Sequence, residues 1–132
     1  PTYHVYKMFA PFQGAESLPV DLTDAGEYSY GEFKIPEVSA SAARGTDGKI
    51  YLALVNTNPH KAKTITLSLS GIKVKGVNGE VLTGDSMDTH NTFENPNSIA
   101  PAPYSASASA AGVLELHIPE KSIVVVAVDA AE

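Results

Sequence analysis

Apolar and polar residues follow two different periods along this chain. In the first segment the apolar residues recur at the i, i+3, i+4, i+7 spacing of one helix face: Val5, Met8, Phe9 and Phe12. This spacing predicts a helix over residues 2–10. Pro11 should end it, because proline lacks a backbone N–H and clashes with the preceding turn. From Leu18 onward the period changes to two, which predicts strands.

The remaining chain has the pattern of an antiparallel β-protein. Alternating or continuous apolar runs occupy residues 38–42, 49–56, 64–70, 113–118 and 122–128. The runs at 49–56 and 122–128 are apolar on both faces, so each is predicted to be a central strand buried from both sides. Asp47-Gly48 and Asn78-Gly79 each predict a hairpin turn, and the polar, proline-rich residues 84–103 predict a long loop. About seven to nine short strands separated by turns favour a mainly β fold, a sandwich or barrel.

Composition and charge exclude several classes of function. The chain has 132 residues, a net charge of −6 and no cysteine, so disulfides and thiolate metal sites are excluded. Its nine basic residues are dispersed, whereas nucleic-acid binding needs clustered lysine and arginine, so no nucleic-acid partner is predicted. No apolar run approaches the roughly 20 residues of a membrane span, so no membrane partner is predicted either.

The candidate catalytic groups lack the surroundings that catalysis needs. Glycoside cleavage usually uses two carboxylates about 5–10 Å apart. The glutamates that could supply them, none with a distinctive flanking motif, are Glu37, Glu80, Glu94, Glu115 and Glu120. The chain also lacks the Gly-x-Ser-x-Gly elbow of a serine hydrolase. The sequence therefore predicts no catalytic residue, no cofactor and mostly solvated surface carboxylates.

Two polar or aromatic clusters allow binding hypotheses. Asp85, Asp88 and His90 could be imagined as metal ligands, but their spacing matches neither a calcium loop nor a zinc site, and a loop of Asx turns is the preferred interpretation. Tyr28 and Tyr30 are two residues apart, so in a strand they share one face and could form a small sugar-stacking platform. The alternative is an ordinary strand whose tyrosines cover the edge of the core.

Four stretches of the sequence together resemble a known family. These are "PTYHVYKMF", "VSASAARGTDGKIYLALVNTNPHKA", "VLTGDSMDTHNTFENPNSI" and "IPEKSIVVVAV", which occur in this order over almost the whole chain. They resemble the C-terminal part of the family 51 glycoside hydrolases, the α-L-arabinofuranosidases. The most specific parts are "DGKIYLALVNTNP" and "DSMDTHNTF".

The resemblance implies an architecture and a parent activity. Such enzymes have a (β/α)₈ catalytic barrel followed by a jelly-roll-like β-sandwich, and they hydrolyse terminal α-L-arabinofuranosyl groups of arabinan and arabinoxylan with retention. Residues 1–16 would then be the last barrel helix and a linker, and residues 17–132 the sandwich. The catalytic glutamate pair of the family lies in the barrel, upstream of Pro1, so this chain alone is expected not to be an enzyme.

The leading hypothesis is therefore a non-catalytic β-sandwich that buttresses the barrel and aids assembly of the enzyme. The expected partners are the (β/α)₈ catalytic domain and further copies of the parent in a homo-oligomer. The family implies a bacterial cytoplasmic location, with secretion as the alternative. The second hypothesis is a carbohydrate-binding module that uses Tyr28 and Tyr30.

Overall fold

Antiparallel strands make up most of the computed structural model, which describes residues 1–109, 111 and 113–130. The chain begins with helix α1 (Thr2–Phe9) and a 3₁₀ turn (Ala10–Phe12). The strands that follow are β1 (Glu16–Leu18), β2 (Glu27–Tyr30), β3 (Phe33–Pro36), β4 (Val38–Arg44), β5 (Ile50–Asn56), β6 (Lys63–Leu67), β7 (Val74–Leu82), β8 (Ala102–Ser107), β9 (Leu114–Ile118) and β10 (Ser122–Ala130). The prediction of a mainly β, antiparallel fold with one short N-terminal helix is confirmed.

The strands form one large sheet, one small sheet and a separate hairpin. The large sheet has the order β1-β4-β5-β10-β7-β8, the small sheet pairs β6 with β9, and β2 pairs only with β3 among the described strands. Strands β5 and β10 lie side by side in the middle of the large sheet, with Val124 opposite Leu54. Both had been predicted as central strands because their sequences are apolar on both faces.

The main core lies between the large and the small sheet. Strand β9 supplies Leu114, Leu116 and Ile118, all completely buried, while its outward residues Glu115 and His117 are exposed. The large sheet faces them with the buried residues Ala42, Ile50, Leu52, Leu54, Val74, Val77, Val124, Val126 and Val128. The alternation predicted for residues 113–118 is therefore the alternation that builds the sandwich.

Helix α1 covers the other face of the large sheet. Met8 is buried there against Ala53, Leu82 and Val125, and the rest of the predicted apolar stripe, Val5, Phe9 and Phe12, packs around it. The molecule thus has three layers, and β5 and β10 are covered from both sides. No helix among the described residues is long and apolar enough to cross a bilayer.

The predicted hairpin at Asn78-Gly79 is wrong. Both residues lie inside the continuous strand β7, where Asn78 pairs with Ala127 and Gly79 with Val126. A Cβ on Gly79 would lie 2.0 Å from the carbonyl oxygen of Val125, so glycine is required here for close backbone approach rather than for a turn. The pairing of β7 with strands on both sides overrides the local turn preference of the dipeptide. The turn predicted at Asp47-Gly48 does join two paired strands, β4 and β5.

The buried side of β9 provides a direct test of the sandwich core. Replacing Leu116 with Ala should lower the free energy of unfolding by about 2–5 kcal/mol, because it removes buried methyl groups and leaves a cavity. The matched change Glu115→Ala on the exposed face of the same strand should cost less than about 0.5 kcal/mol. Urea unfolding followed by circular dichroism measures both, and similar costs for the two variants would contradict the assigned faces.

Candidate functional site

An apolar cleft opens where helix α1, the β2–β3 hairpin and the loop after β7 meet at one end of the large sheet. Its volume is about 690 Å³. Apolar side chains from all of these elements line it, among them Val5, Tyr28, Ile35, Val55, Met87 and Ile99. Binding and docking sites are typically concave and mostly apolar, so this depression is the candidate site. We call it the apolar cleft.

The hairpin beside the cleft exposes a row of apolar side chains on one face. We call residues 27–36 the hairpin arm. Tyr28 lies opposite Ile35 and Tyr30 opposite Phe33, so all four side chains share that face. Tyr28 is half-buried at the cleft, whereas Tyr30 and Phe33 are 77% and 79% exposed. The two tyrosines therefore have different surroundings, and sugar contact by Tyr28 and Tyr30 stays a prediction.

Helix α1 exposes a second aromatic face. Tyr3 and Tyr6 are 71% and 78% exposed, and they are offset around the helix from Met8, which points into the sheet. A helix with apolar residues on both sides is suited to packing between two bodies. In this structure the Met8 side of α1 packs on the large sheet, and the side with Tyr3 and Tyr6 is exposed.

A carboxylate anchors the base of the hairpin arm. Glu37 follows β3, and its two oxygens accept hydrogen bonds from Asn58 Nδ2 at 2.7 Å and from Lys63 Nζ at 2.9 Å. The Glu37 and Lys63 side chains are only 15% and 30% exposed. The hydrogen bond from Lys63, followed by that from Asn58, holds the pKa of Glu37 below its ordinary value.

Two asparagines hold the connection after β5 in place. Asn56 is 2% exposed, and its Nδ2 donates to the carbonyl oxygens of Lys61 and Pro119 at 2.9 and 3.0 Å. Asn56 Oδ1 accepts from the backbone N–H of Asn58 at 3.0 Å, while Asn58 Oδ1 accepts from the N–H of His60 at 2.9 Å. This role was not predicted from the sequence. The pattern that could have indicated it is "NTNP" directly after a buried strand, because asparagine side chains in such turns form hydrogen bonds with nearby backbone groups.

The loop after β7 does not gather the three imagined metal ligands. Asp88 accepts a hydrogen bond from the Ser86 hydroxyl, and His90 Nδ1 lies 2.9 Å from the carbonyl oxygen of Asp88. No group of three or more histidine, aspartate or glutamate side chains suited to a metal occurs in the described part of the chain. Asn91 instead closes the loop: its amide donates to Ile99 O at 3.0 Å, and its Oδ1 accepts from Ile99 N at 2.7 Å.

The five glutamates singled out from the sequence lie in separate elements. Glu37 pairs with Lys63 at the base of the hairpin arm, and Glu94 is in the long loop. In the turn before β10, Glu120 Oε1 lies 3.5 Å from Lys121 Nζ. Glu80 and Glu115 are exposed on β7 and β9. Glu80 follows the dipeptide from which a hairpin turn was predicted, but it lies inside the continuous strand β7.

Comparison with known proteins identifies the family. The family model described as the α-L-arabinofuranosidase C-terminal domain matches residues 1–122. A protein named intracellular exo-α-L-arabinofuranosidase, from Bacteroides ovatus, is 38% identical over 124 residues, which are 94% of this chain and 24% of that protein. This chain belongs to the C-terminal domain family of the α-L-arabinofuranosidases, as the resemblance predicted.

Solved structures agree with this assignment. The GH51 arabinofuranosidase from Xanthomonas axonopodis pv. citri superposes with a TM-score of 0.91 and 31% identity, over 98% of this chain and 26% of that one. The thermostable GH51 α-L-arabinofuranosidase from Thermotoga petrophila RKU-1 gives a TM-score of 0.65 and 26% identity, over 74% of this chain and 21% of that one. This chain thus spans about a quarter of the length of the relatives that it matches.

The anchoring carboxylate gives the domain a defined pH dependence. Because the pKa of Glu37 is lowered in the folded chain, its contribution to stability is present above the ordinary carboxyl pKa of about 4.3 and is lost as the pH falls through the lowered value. The change Lys63→Met should raise the pKa of Glu37 and reduce the loss of stability on acidification. NMR titration of the Glu37 carboxyl measures this.

The control for this titration is Lys34→Met. Lys34 pairs with Glu27 at 3.5 Å on the hairpin arm, and both side chains are more than half exposed. This variant should leave the titration of Glu37 unchanged. A Glu37 pKa that does not respond to Lys63→Met would contradict the assigned cause.

Proposed function

We propose that this chain is the non-catalytic accessory domain of an α-L-arabinofuranosidase, and that the catalytic domain of the same enzyme docks at the apolar cleft. The parent enzyme would hydrolyse terminal α-L-arabinofuranosyl groups of arabinan and arabinoxylan with retention, on a (β/α)₈ barrel. The accessory domain would buttress this barrel and aid assembly of a homo-oligomer. Family membership and the small share of each relative that the chain covers support the proposal.

The observation that carries the docking proposal is the concentration of exposed apolar side chains around the cleft. Tyr30 and Phe33 on the hairpin arm are more than three-quarters exposed, and Met87 at the cleft is 67% exposed. Isolated exposed apolar residues are common, but a contiguous apolar patch beside a cleft is typical of an interface. Burying it would remove apolar surface from water at a gain of roughly 25 cal/mol per Å².

Helix α1 supports the catalytic domain as the occupant of this surface. Pro1 and Thr2 line the cleft, so chain that precedes the helix in the longer relatives would emerge beside it. Tyr3 and Tyr6 face away from the sandwich and would pack against the barrel. Helix α1 would then be the last helix of the barrel and, on its other side, a layer of the accessory domain.

The name of the Bacteroides ovatus relative bears on two further points. That protein is named intracellular and exo-acting. We extend both to the parent of this chain, so we propose a cytoplasmic enzyme that removes terminal sugars. Cell fractionation followed by activity measurement tests the location, and activity outside the cell would contradict it.

The non-catalytic role is tested by assaying the 132-residue chain alone. Turnover of an aryl α-L-arabinofuranoside should not exceed the buffer rate, because the carboxylate pair that the retaining reaction needs, about 5–5.5 Å apart, would lie on the barrel of the parent enzyme. The full-length enzyme is the positive control. Turnover by the chain that disappears with a single glutamate replacement would refute the role.

The docking surface is tested by replacing Tyr30 and Phe33 with Ser in the full-length enzyme. Removing both rings should weaken the contact between the domains by at least about 2 kcal/mol, since aromatic side chains dominate interface energies. Differential scanning calorimetry should show the accessory domain melting apart from the catalytic domain. The matched control is Phe93→Ser, because Phe93 is a fully exposed ring that neither belongs to the hairpin arm nor lines the cleft.

The same variant decides between docking and the carbohydrate-binding module. If Tyr28 and Tyr30 stack on sugars, the chain should bind arabinan or arabinoxylan oligosaccharides in calorimetric titration. The double variant, which removes the Tyr30 ring, should then lose that binding while its melting in the full-length enzyme stays unchanged. We favour docking because the exposed rings continue into the cleft, whose lining is apolar. Oligosaccharide binding with unchanged melting would reverse this preference.

A further inference from the structure

The hairpin arm projects from the sandwich and is attached at its base. Strands β2 and β3 pair with each other and, within the described chain, with no strand of either sheet. One face of the arm carries Tyr30 and Phe33, which are largely exposed. An isolated two-stranded hairpin is marginally stable in water, so its position must be set by contacts elsewhere.

Backbone hydrogen bonds supply part of the attachment. The N–H of Glu37 donates to Gly26 O at 3.1 Å and closes the base of the hairpin. Thr57, which follows β5, donates its N–H to Glu37 O at 2.8 Å and its hydroxyl to Pro36 O at 2.7 Å. These bonds join the arm to the end of the large sheet only.

The Glu37 side chain adds a connection to the small sheet. Its partner Lys63 is the first residue of β6, and its other partner Asn58 belongs to the connection that Asn56 holds in place. One carboxylate therefore joins the arm to both sheets. Hydrogen bonds between charged, partly buried groups are among the stronger polar contacts in proteins.

Gly26 shows how closely this connection is built. It has a φ of +76°, a conformation that favours glycine, and a Cβ there would lie 2.2 Å from Glu37 Oε2 and 2.8 Å from Lys63 Nζ. The ion pair occupies the space that any other side chain would need. A residue other than glycine at position 26 would therefore have to displace the Glu37–Lys63 pair.

We propose that the Glu37–Lys63 pair is a latch that sets the position of the hairpin arm, and that this position determines how well the catalytic domain docks. Glu37 is thus a positioning residue and makes no contact with substrate. This inference rests on the proposed docking function. Its first half, the control of the arm, can be tested without a catalytic domain.

The first test is hydrogen–deuterium exchange of the 132-residue chain carrying Glu37→Gln. Amides within residues 27–36 should exchange about tenfold faster, because the arm opens more often when the charged contact is lost. Amides of β9 and β10 should keep their rates, which shows that the sandwich stays folded. Lys63→Met should give the same pattern, and the double variant should add little to either single change.

The matched control is Glu27→Gln, the same chemical change on the arm itself. Glu27 pairs with Lys34 at 3.5 Å in an exposed position, so its loss should leave exchange within residues 27–36 unchanged. Unchanged exchange of the arm in both Glu37→Gln and Lys63→Met would overturn the latch. Equal acceleration by Glu27→Gln and Glu37→Gln would overturn it too.

The second test places Glu37→Gln in the full-length enzyme and follows melting by calorimetry. The accessory domain should separate from the catalytic transition, as expected for the Tyr30 and Phe33 replacements. If Glu37→Gln loosens the arm but leaves joint melting intact while the aromatic variant splits it, the latch does not control docking. If neither variant changes the melting, the docking proposal itself fails.

Discussion

The structure depends on a sheet whose two central strands are apolar on both faces. Strands β5 and β10 cannot be left half-exposed, so each face of the large sheet needs a cover. The small sheet covers one face through Leu114, Leu116 and Ile118, and helix α1 covers the other through Met8. The three-layer order follows from this requirement. The cleft lies at one end of the sheet, where the helix, the arm and the long loop leave part of its outer face open.

Polar residues orient the segments that lie outside the core, namely the connection after β5 and the hairpin arm. Asn56 and Asn58 form hydrogen bonds with backbone groups after β5. Asn58 also donates a hydrogen bond to Glu37 at the base of the hairpin arm. A buried amide that loses its partners costs more than an average hydrogen bond contributes, so such a network has few alternative arrangements. The stretch that carries the family resemblance most strongly, "DGKIYLALVNTNP", thus combines a doubly buried strand with the asparagines that orient its exit.

Periodicity was a reliable guide where burial determines the structure. The stripe of α1, the alternation of β9 and the apolar runs of β5 and β10 were predicted because each reflects a face that must be covered. Asn78-Gly79 misled because strand pairing on both sides of β7 outweighs a dipeptide preference. The hairpin arm and the Glu37–Lys63 pair were not predicted. They join residues 26 positions apart through charge and close packing at Gly26, and no local pattern records such a contact.

The packing of α1 on the sandwich limits where the chain can be cut without exposing part of the core. A module that is exchanged between proteins must carry its whole core with it. A recombination junction within residues 10–16 would separate the helix from the sheet and uncover Ala53, Leu82 and Val125. The apolar layer on this face of the large sheet thus includes residues that precede β1. A substitution at Met8 would therefore change the cover of the large sheet, although the residue belongs to the helix.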